Sequence, residues 1–277
     1  MSAKDIIKAF PTPASGGILS TIDKEACEKA VAEIIAGGEK ILRELVDLLQ
    51  EPGKGEDIQV RHAINAAAIR VGGPTNKKAR KAFAHSLAGT LADDRPKAVK
   101  GFILRQLQIC AGSEEGNAIA PFLTDPDEHL YEYAAQALEA FGPATTEHFR
   151  KAYKKAKGAP RLTVLQGLGV LRDESSAQVF RAAAKEDDLE IRLCGLWGLM
   201  RIASDADAEL ILSTSAKEKG WARIKSTGYC LQLAEALTAI GKKKEAKAVY
   251  KELQKTRIAD NEAHILKACE IGLSKLG

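Results

Sequence analysis

Residues 188–204 read DLEIRLCGLWGLMRIAS. An arginine sits early on an otherwise apolar helical face, and glycines stand where bulky residues belong. With Ile191 taken as position zero, Asp188 lies at −3, Arg192 at +1, Gly198 at +7, Leu199 at +8, Ile202 at +11 and Ala203 at +12. The same order recurs elsewhere. DIQVRHAINAAAIRVGG places Asp57, Val60, Arg61, Ala67, Ala68, Val71 and Gly72 in register. DEHLYEYAAQALEAFG places Asp127, Leu130, Ala137, Leu138, Phe141 and Gly142. PRLTVLQGLGVLR places Pro160, Arg161, Gly167, Leu168 and Leu171. Weaker copies start at Val99, Tyr229 and Ile265.

The anchors 60, 99, 130, 160, 191, 229 and 265 are separated by 39, 31, 30, 31, 38 and 36 residues. About thirty residues hold two short helices and two turns, and a period of that size marks a stacked repeat. The intervening segments, such as GGEKILRELVDLLQE, SSAQVFRAAAKE and EAKAVYKELQKT, supply the partner helices. Composition agrees. Aromatics are only 5% of the 277 residues, so the apolar content is carried by Ala, Leu and Ile, which favour helix. The expected fold is all-α, an α-α superhelix of about seven antiparallel helix pairs. Residues 1–20, with their PTPASGG, read as a lead segment, and 21–277 as a single solenoid. Ser20 and Asp23 read as a capping box for the first helix.

The pattern Asp-x-x-[Val/Leu/Ile]-Arg-x-x-Ala-x-x-Ala-Leu-x-x-[Ile/Leu/Val]-Gly, seen at 57–72 and 127–142, resembles HEAT-like repeats of the short bacterial type, first noticed in phycocyanobilin lyase subunits. The resemblance runs over roughly 38–277. It implies first helices on a convex face and second helices on a concave one. The Asp and Arg positions then form a structural ladder along the stack: Asp57, Arg61, Asp127, Arg161, Asp188 and Arg192. Tyr131 breaks that ladder and Lys100 only partly replaces the arginine. Small residues at +7 let neighbouring helices approach closely.

In this register positions +3, +6 and +10 face the groove. They nominate Phe102, Arg105, Tyr133, Gln136, Gln166, Trp197 and Arg201 as partner-binding residues, with Thr163, Gln232 and Glu235 beside them. An aromatic, amide and arginine surface suits protein or peptide recognition. The competing reading is that Phe102 and Trp197 only fill space between helices.

Catalytic chemistry has no motif here: no P-loop, GxSxG or GxGxxG, and no nucleophile beside a base. The histidines are scattered, and Glu128-His129 and Glu147-His148 carry only the reverse of the His-Glu order of iron-binding HEAT-like hydroxylases. Neither a metal nor another cofactor is expected, and the chain reads as a non-enzymatic scaffold. Five cysteines at scattered positions, without a CxxC pair, behave as small buried hydrophobes and fit a reducing, cytoplasmic setting. No stretch approaches a membrane span. Net charge is +4, yet lysine and arginine cluster at 77–81, 150–161 and 242–257, on first helices. Nucleic-acid binding or repair of the HEAT-like DNA glycosylase kind is therefore the first alternative, and a bilin-lyase-like chaperone for a small ligand the second.

Overall fold

The computed structural model describes residues 2–12, 23–74 and 76–277, so Ser20 and the PTPASGG-bearing part of the lead from residue 13 on lie outside the described residues. Among these residues there are fifteen α-helices and no strand. The chain is an all-α helical-repeat protein. It forms two compact units, residues 1–160 and 161–277.

In the first unit a short helix, α1 (Ala3–Ile6), precedes α2 (Lys24–Asp47), which is broken at Gly38 by a left-handed φ of 57°. Then come α3 (Ile58–Gly72), α4 (Lys77–Gly89), α5 (Lys97–Cys110), α6 (Gly116–Ile119), α7 (Glu128–Ala140) and α8 (Thr146–Tyr153). Consecutive helices pair, α2 with α3, α4 with α5 and α6 with α7, and the second helices α3, α5 and α7 stack in that order. Ala3, Ile6 and Phe10 are buried, so the start of the lead packs as structure, with α1 against α2.

The second unit contains α9 (Ala159–Val170), which starts at the boundary, α10 (Ala177–Ala183), α11 (Leu189–Arg201), α12 (Ala208–Lys217), α13 (Gly220–Ala239), α14 (Lys243–Thr256) and α15 (Ala263–Ser274). Here α10 pairs with α11, α12 with α13 and α14 with α15. The first helices α6, α8, α10 and α12 are introduced by 3-10 turns, such as Glu174–Ser176 and Asp205–Asp207.

The opening stretch is α11, and it is apolar nearly all round because it is buried nearly all round, from Ile191 through Met200. Its glycines are contact points. A Cβ on Gly195 would lie 2.4 Å from Ala184 N and 2.8 Å from Phe180 O, both backbone atoms of the paired α10 segment. A Cβ on Gly198 would enter the Phe180 ring, at 2.2 Å from Cδ1. Position +12 has another cause. Gly142, Arg172 and Ala203 follow their helices in the left-handed region, with φ of 80°, 52° and 50°. Such a residue ends a helix by letting the next N–H reach back, as Ser204 N does to Leu199 O at 3.2 Å.

The arginine ladder is arranged differently from the sequence expectation. Asp188 accepts from Ile191 N at 3.0 Å, and Asp127 accepts from His129 N at 3.1 Å. Both carboxylates cap the N-termini of their helices, because position −3 reaches the unpaired N–H groups of the first turn. The arginines reach instead to glutamates in the turn before the following second helix. Arg161 pairs with Glu186 at 2.5 Å, Arg192 with Glu218 at 2.6 Å and Arg223 with Glu262 at 2.6 Å. Only Arg61 keeps its own aspartate, Asp57, at 2.8 Å. Arg223 also corrects the register: α13 begins at Gly220, so Ala222 rather than Tyr229 is position zero, and 222 lies 31 residues after 191. The extra helix length hid that copy.

Among the described residues no helix is long and apolar enough to cross a membrane. The five cysteines are free, and all but the partly exposed Cys27 are buried. Burial pushes the Cys110 and Cys194 thiols up to about 12.

Candidate functional site

The stack of α3, α5 and α7 brings four of the nominated residues onto one face. Each step has the same construction: an arginine on one helix lies over an aromatic ring on the next. Arg61 of α3 sits 4.9 Å from the Phe102 ring centre, and Arg105 of α5 sits 5.4 Å from that of Tyr133. Such contacts contribute about 0.5–1 kcal/mol each when exposed. His129, one turn before Tyr133 on α7, stacks on it at 5.7 Å with 14° between planes. Gly101 gives Tyr133 its seat, since a Cβ there would already touch the ring at 3.4 Å.

Together these side chains, with Lys97 and Asp127, line a cavity of about 460 Å³. The charges around it are not equivalent. Burial would raise the Asp57 carboxyl, but Arg61 and the Gln50 N–H, 2.9 Å away, hold it below the usual range. Arg61 is thereby neutralised. Lys97 faces Asp125 at 3.3 Å and Asp127 at 3.8 Å, which supplies a cation where Tyr131 interrupts the arginine series. Tyr131 itself is buried. Arg105 is exposed and has no carboxylate within ion-pair reach among the described residues. Gln136, the next turn of α7, is exposed beside Tyr133. This face therefore presents a guanidinium with no ion-pair partner beside an aromatic ring.

The nominated residues of the second unit are arranged differently. Trp197 is half-buried against Gly169, whose absent Cβ would lie 2.4 Å from the indole. Arg201 lies 5.6 Å from the Trp197 ring centre and donates to Gly169 O and Val170 O, both at 3.3 Å. It caps the C-terminus of α9, where a cation meets the unpaired carbonyls. Burial, and then Arg172, lower its pKa. Trp197 and Arg201 are thus occupied in helix packing, while Gln166 is exposed.

Sequence reading missed His129, Lys97 and the second use of Arg61. The signal for His129 was available: residues 129, 133 and 136 fall on one helical face. The basic clusters are partly compensated in place. Lys81 pairs with Glu114 at 2.9 Å, Lys151 with Glu147 at 3.7 Å, Lys242 with Asp205 at 2.9 Å and Lys255 with Glu252 at 3.4 Å.

Glu139, near the end of α7, is pushed up to about 7 by burial and then by Glu132. A carboxyl raised in the folded state favours folding while it is protonated. That stability is complete below the unfolded value near 4.5 and is lost as pH rises through about 7. Glu139→Gln should therefore stabilise the protein at pH 8 by about 2 kcal/mol, allowing for its partial exposure, and leave it unchanged at pH 4. Thermal melts at the two pH values check this; an equal gain at both would remove the titration from the account.

No protein-family profile matches the chain, and no curated protein matches it. Solved structures do. The complex of CpcE and CpcF of phycocyanin lyase from Nostoc aligns at a TM-score of 0.42 and 17% identity, covering 84% of this chain and 94% of that one. The crystal structure of an engineered protein aligns at 0.32 and 17%, covering 85% and 96%.

Proposed function

We propose that the protein is a non-enzymatic HEAT-like scaffold that binds a protein or peptide partner on the face of α5 and α7. The supporting observation is Arg105: an exposed guanidinium 5.4 Å from the Tyr133 ring centre, without a carboxylate of its own, lining a preformed cavity. Arginine and tyrosine anchors of this kind dominate protein interfaces, and truncating one typically costs 2 kcal/mol or more. Phe102 and Gln136 extend the contact, and Gln166 offers a similar exposed amide in the second unit. Helical repeats vary such surfaces pair by pair while each pair rests on its neighbours.

Site-specific photo-crosslinking tests the reading. A benzophenone amino acid at Gln136 should trap a polypeptide in native extract, and the same group at Lys151, on α8, should not. Crosslinks from Lys151 alone, or to nucleic acid alone, would assign binding to the basic first helices and displace this proposal.

A further inference from the structure

A second surface lies on the first helices of the second unit. In the second unit the first helices α12 and α14 both pack on α13. At 20 residues α13 is longer than α9 and α11, which have 12 and 13. An open trough of about 670 Å³ remains between α12 and α14. Its lining runs from Asp205 to Ala216 on one wall and from Glu245 to Thr256 on the other. Each wall spans twelve residues, about 16 Å or three helical turns. The floor is apolar, with Leu212 half-buried and Val249 buried. The rim is acidic, from Asp205, Glu209, Glu245 and Glu252, and no lysine or arginine lines it. Lys242 neutralises Asp205 and Lys255 neutralises Glu252 from outside, while Glu209 and Glu245 have no ion pair among the described residues.

We propose that this trough docks a basic amphipathic helix of a partner protein. The apolar floor receives the leucine-type side chains of one helical face, and the glutamates meet lysines or arginines flanking that face. An elongated trough with an apolar floor and a charged rim is the geometry of helix-in-groove recognition, in which residues at i, i+3, i+4 and i+7 anchor. Charge complementarity fixes the class of occupant, since an acidic helix would face Glu209 and Glu245, two carboxylates with no cation of their own among the described residues.

The test uses the full chain and a fluorescein-labelled peptide of roughly four helical turns, with leucines at helical spacing flanked by lysines. A scrambled peptide of identical composition is the control. Anisotropy should show binding of the amphipathic peptide and at least tenfold weaker binding of the scrambled one. The double variant Glu209→Lys, Glu245→Lys should weaken binding at least tenfold. Ala248→Trp, which fills the exposed floor without altering charge, should do the same. Circular dichroism melts confirm that both variants fold. No binding, equal binding of the scrambled peptide, or an unaffected Ala248→Trp variant would overturn the proposal. Sedimentation showing self-association that the charge reversal abolishes would give the trough to a second copy, and would overturn it equally.

Discussion

Gly195→Ala is expected to destabilise the protein by about 2–3 kcal/mol, even though alanine is the better helix former by about 1 kcal/mol. The reason is the identity of the obstruction. The new methyl would press on Ala184 N, Ala183 C and Phe180 O, which are backbone atoms and cannot rotate aside. Relief requires α10 and α11 to separate along their contact. Gly228 provides the internal control. It also lies within a helix, α13, but a Cβ there meets nothing within 4 Å. Gly228→Ala should stabilise by up to about 1 kcal/mol through propensity alone. Trp197 and Trp221 are the only tryptophans and both lie in the second unit, so fluorescence-monitored urea unfolding reads this region directly. Two substitutions of the same chemistry with opposite signs would establish close helix approach as the cause. Equal gains from both would contradict the packing described for α11.

The second large effect centres on Glu262. Its carboxylate, only 13% exposed, accepts from Arg223 Nε at 2.6 Å and Nη2 at 3.0 Å, and lies 3.9 Å from Arg257 Nε. Arg257 is wholly buried and donates to hydroxyls: Ser215 at 2.8 Å, Thr227 at 2.9 Å and Thr256 at 3.0 Å. Burial, and then Arg223, lower its pKa. Glu262→Gln leaves two neighbouring guanidiniums without a carboxylate and should cost about 3–5 kcal/mol. Arg257→Met removes the buried charge itself and should cost far less, about 1 kcal/mol, because the Ser215–Ser226 hydroxyl contact at 2.9 Å can persist. The pH dependence has a definite sign. Arg223 holds the Glu262 carboxyl below the usual range, so its stabilisation is complete above about 4.5 and is lost as pH falls further. The gap between the parent protein and Glu262→Gln should therefore narrow below pH 4. A gap unchanged by acid would mean that the carboxylate charge is not what stabilises this turn.

The all-α repeat was legible because a thirty-residue period leaves few architectures, and because small residues recur where helices touch. Gly198 and Ala137 both fall at +7 for that reason. The ladder was only half legible. An aspartate three residues before the anchor is as good an N-cap as an ion-pair partner, and a one-dimensional pattern does not distinguish them. The glutamates that take the arginines lie 25 and 26 residues away for Arg161 and Arg192, in turns whose length varies, so no fixed spacing announces them. The candidate binding positions were nominated from helical geometry alone. What geometry could not supply was occupancy. Trp197 sits at the same register position as Arg105 and Gln136, yet Trp197 and its neighbour Arg201 are held by Gly169 and the end of α9, whereas Arg105 has no ion pair among the described residues.

Binding through the α5–α7 face is most directly tested by what the protein retains from native extract. The intact chain is compared with the Arg105→Ala, Tyr133→Ala double variant, with a circular dichroism melt confirming that the variant folds. The account predicts a polypeptide held by the intact protein through moderate salt and lost by the variant, a drop of tenfold or more given two interface anchors. Retention of the same nucleic acid by both forms, stripped by raised salt, would contradict it and place function on the basic first helices.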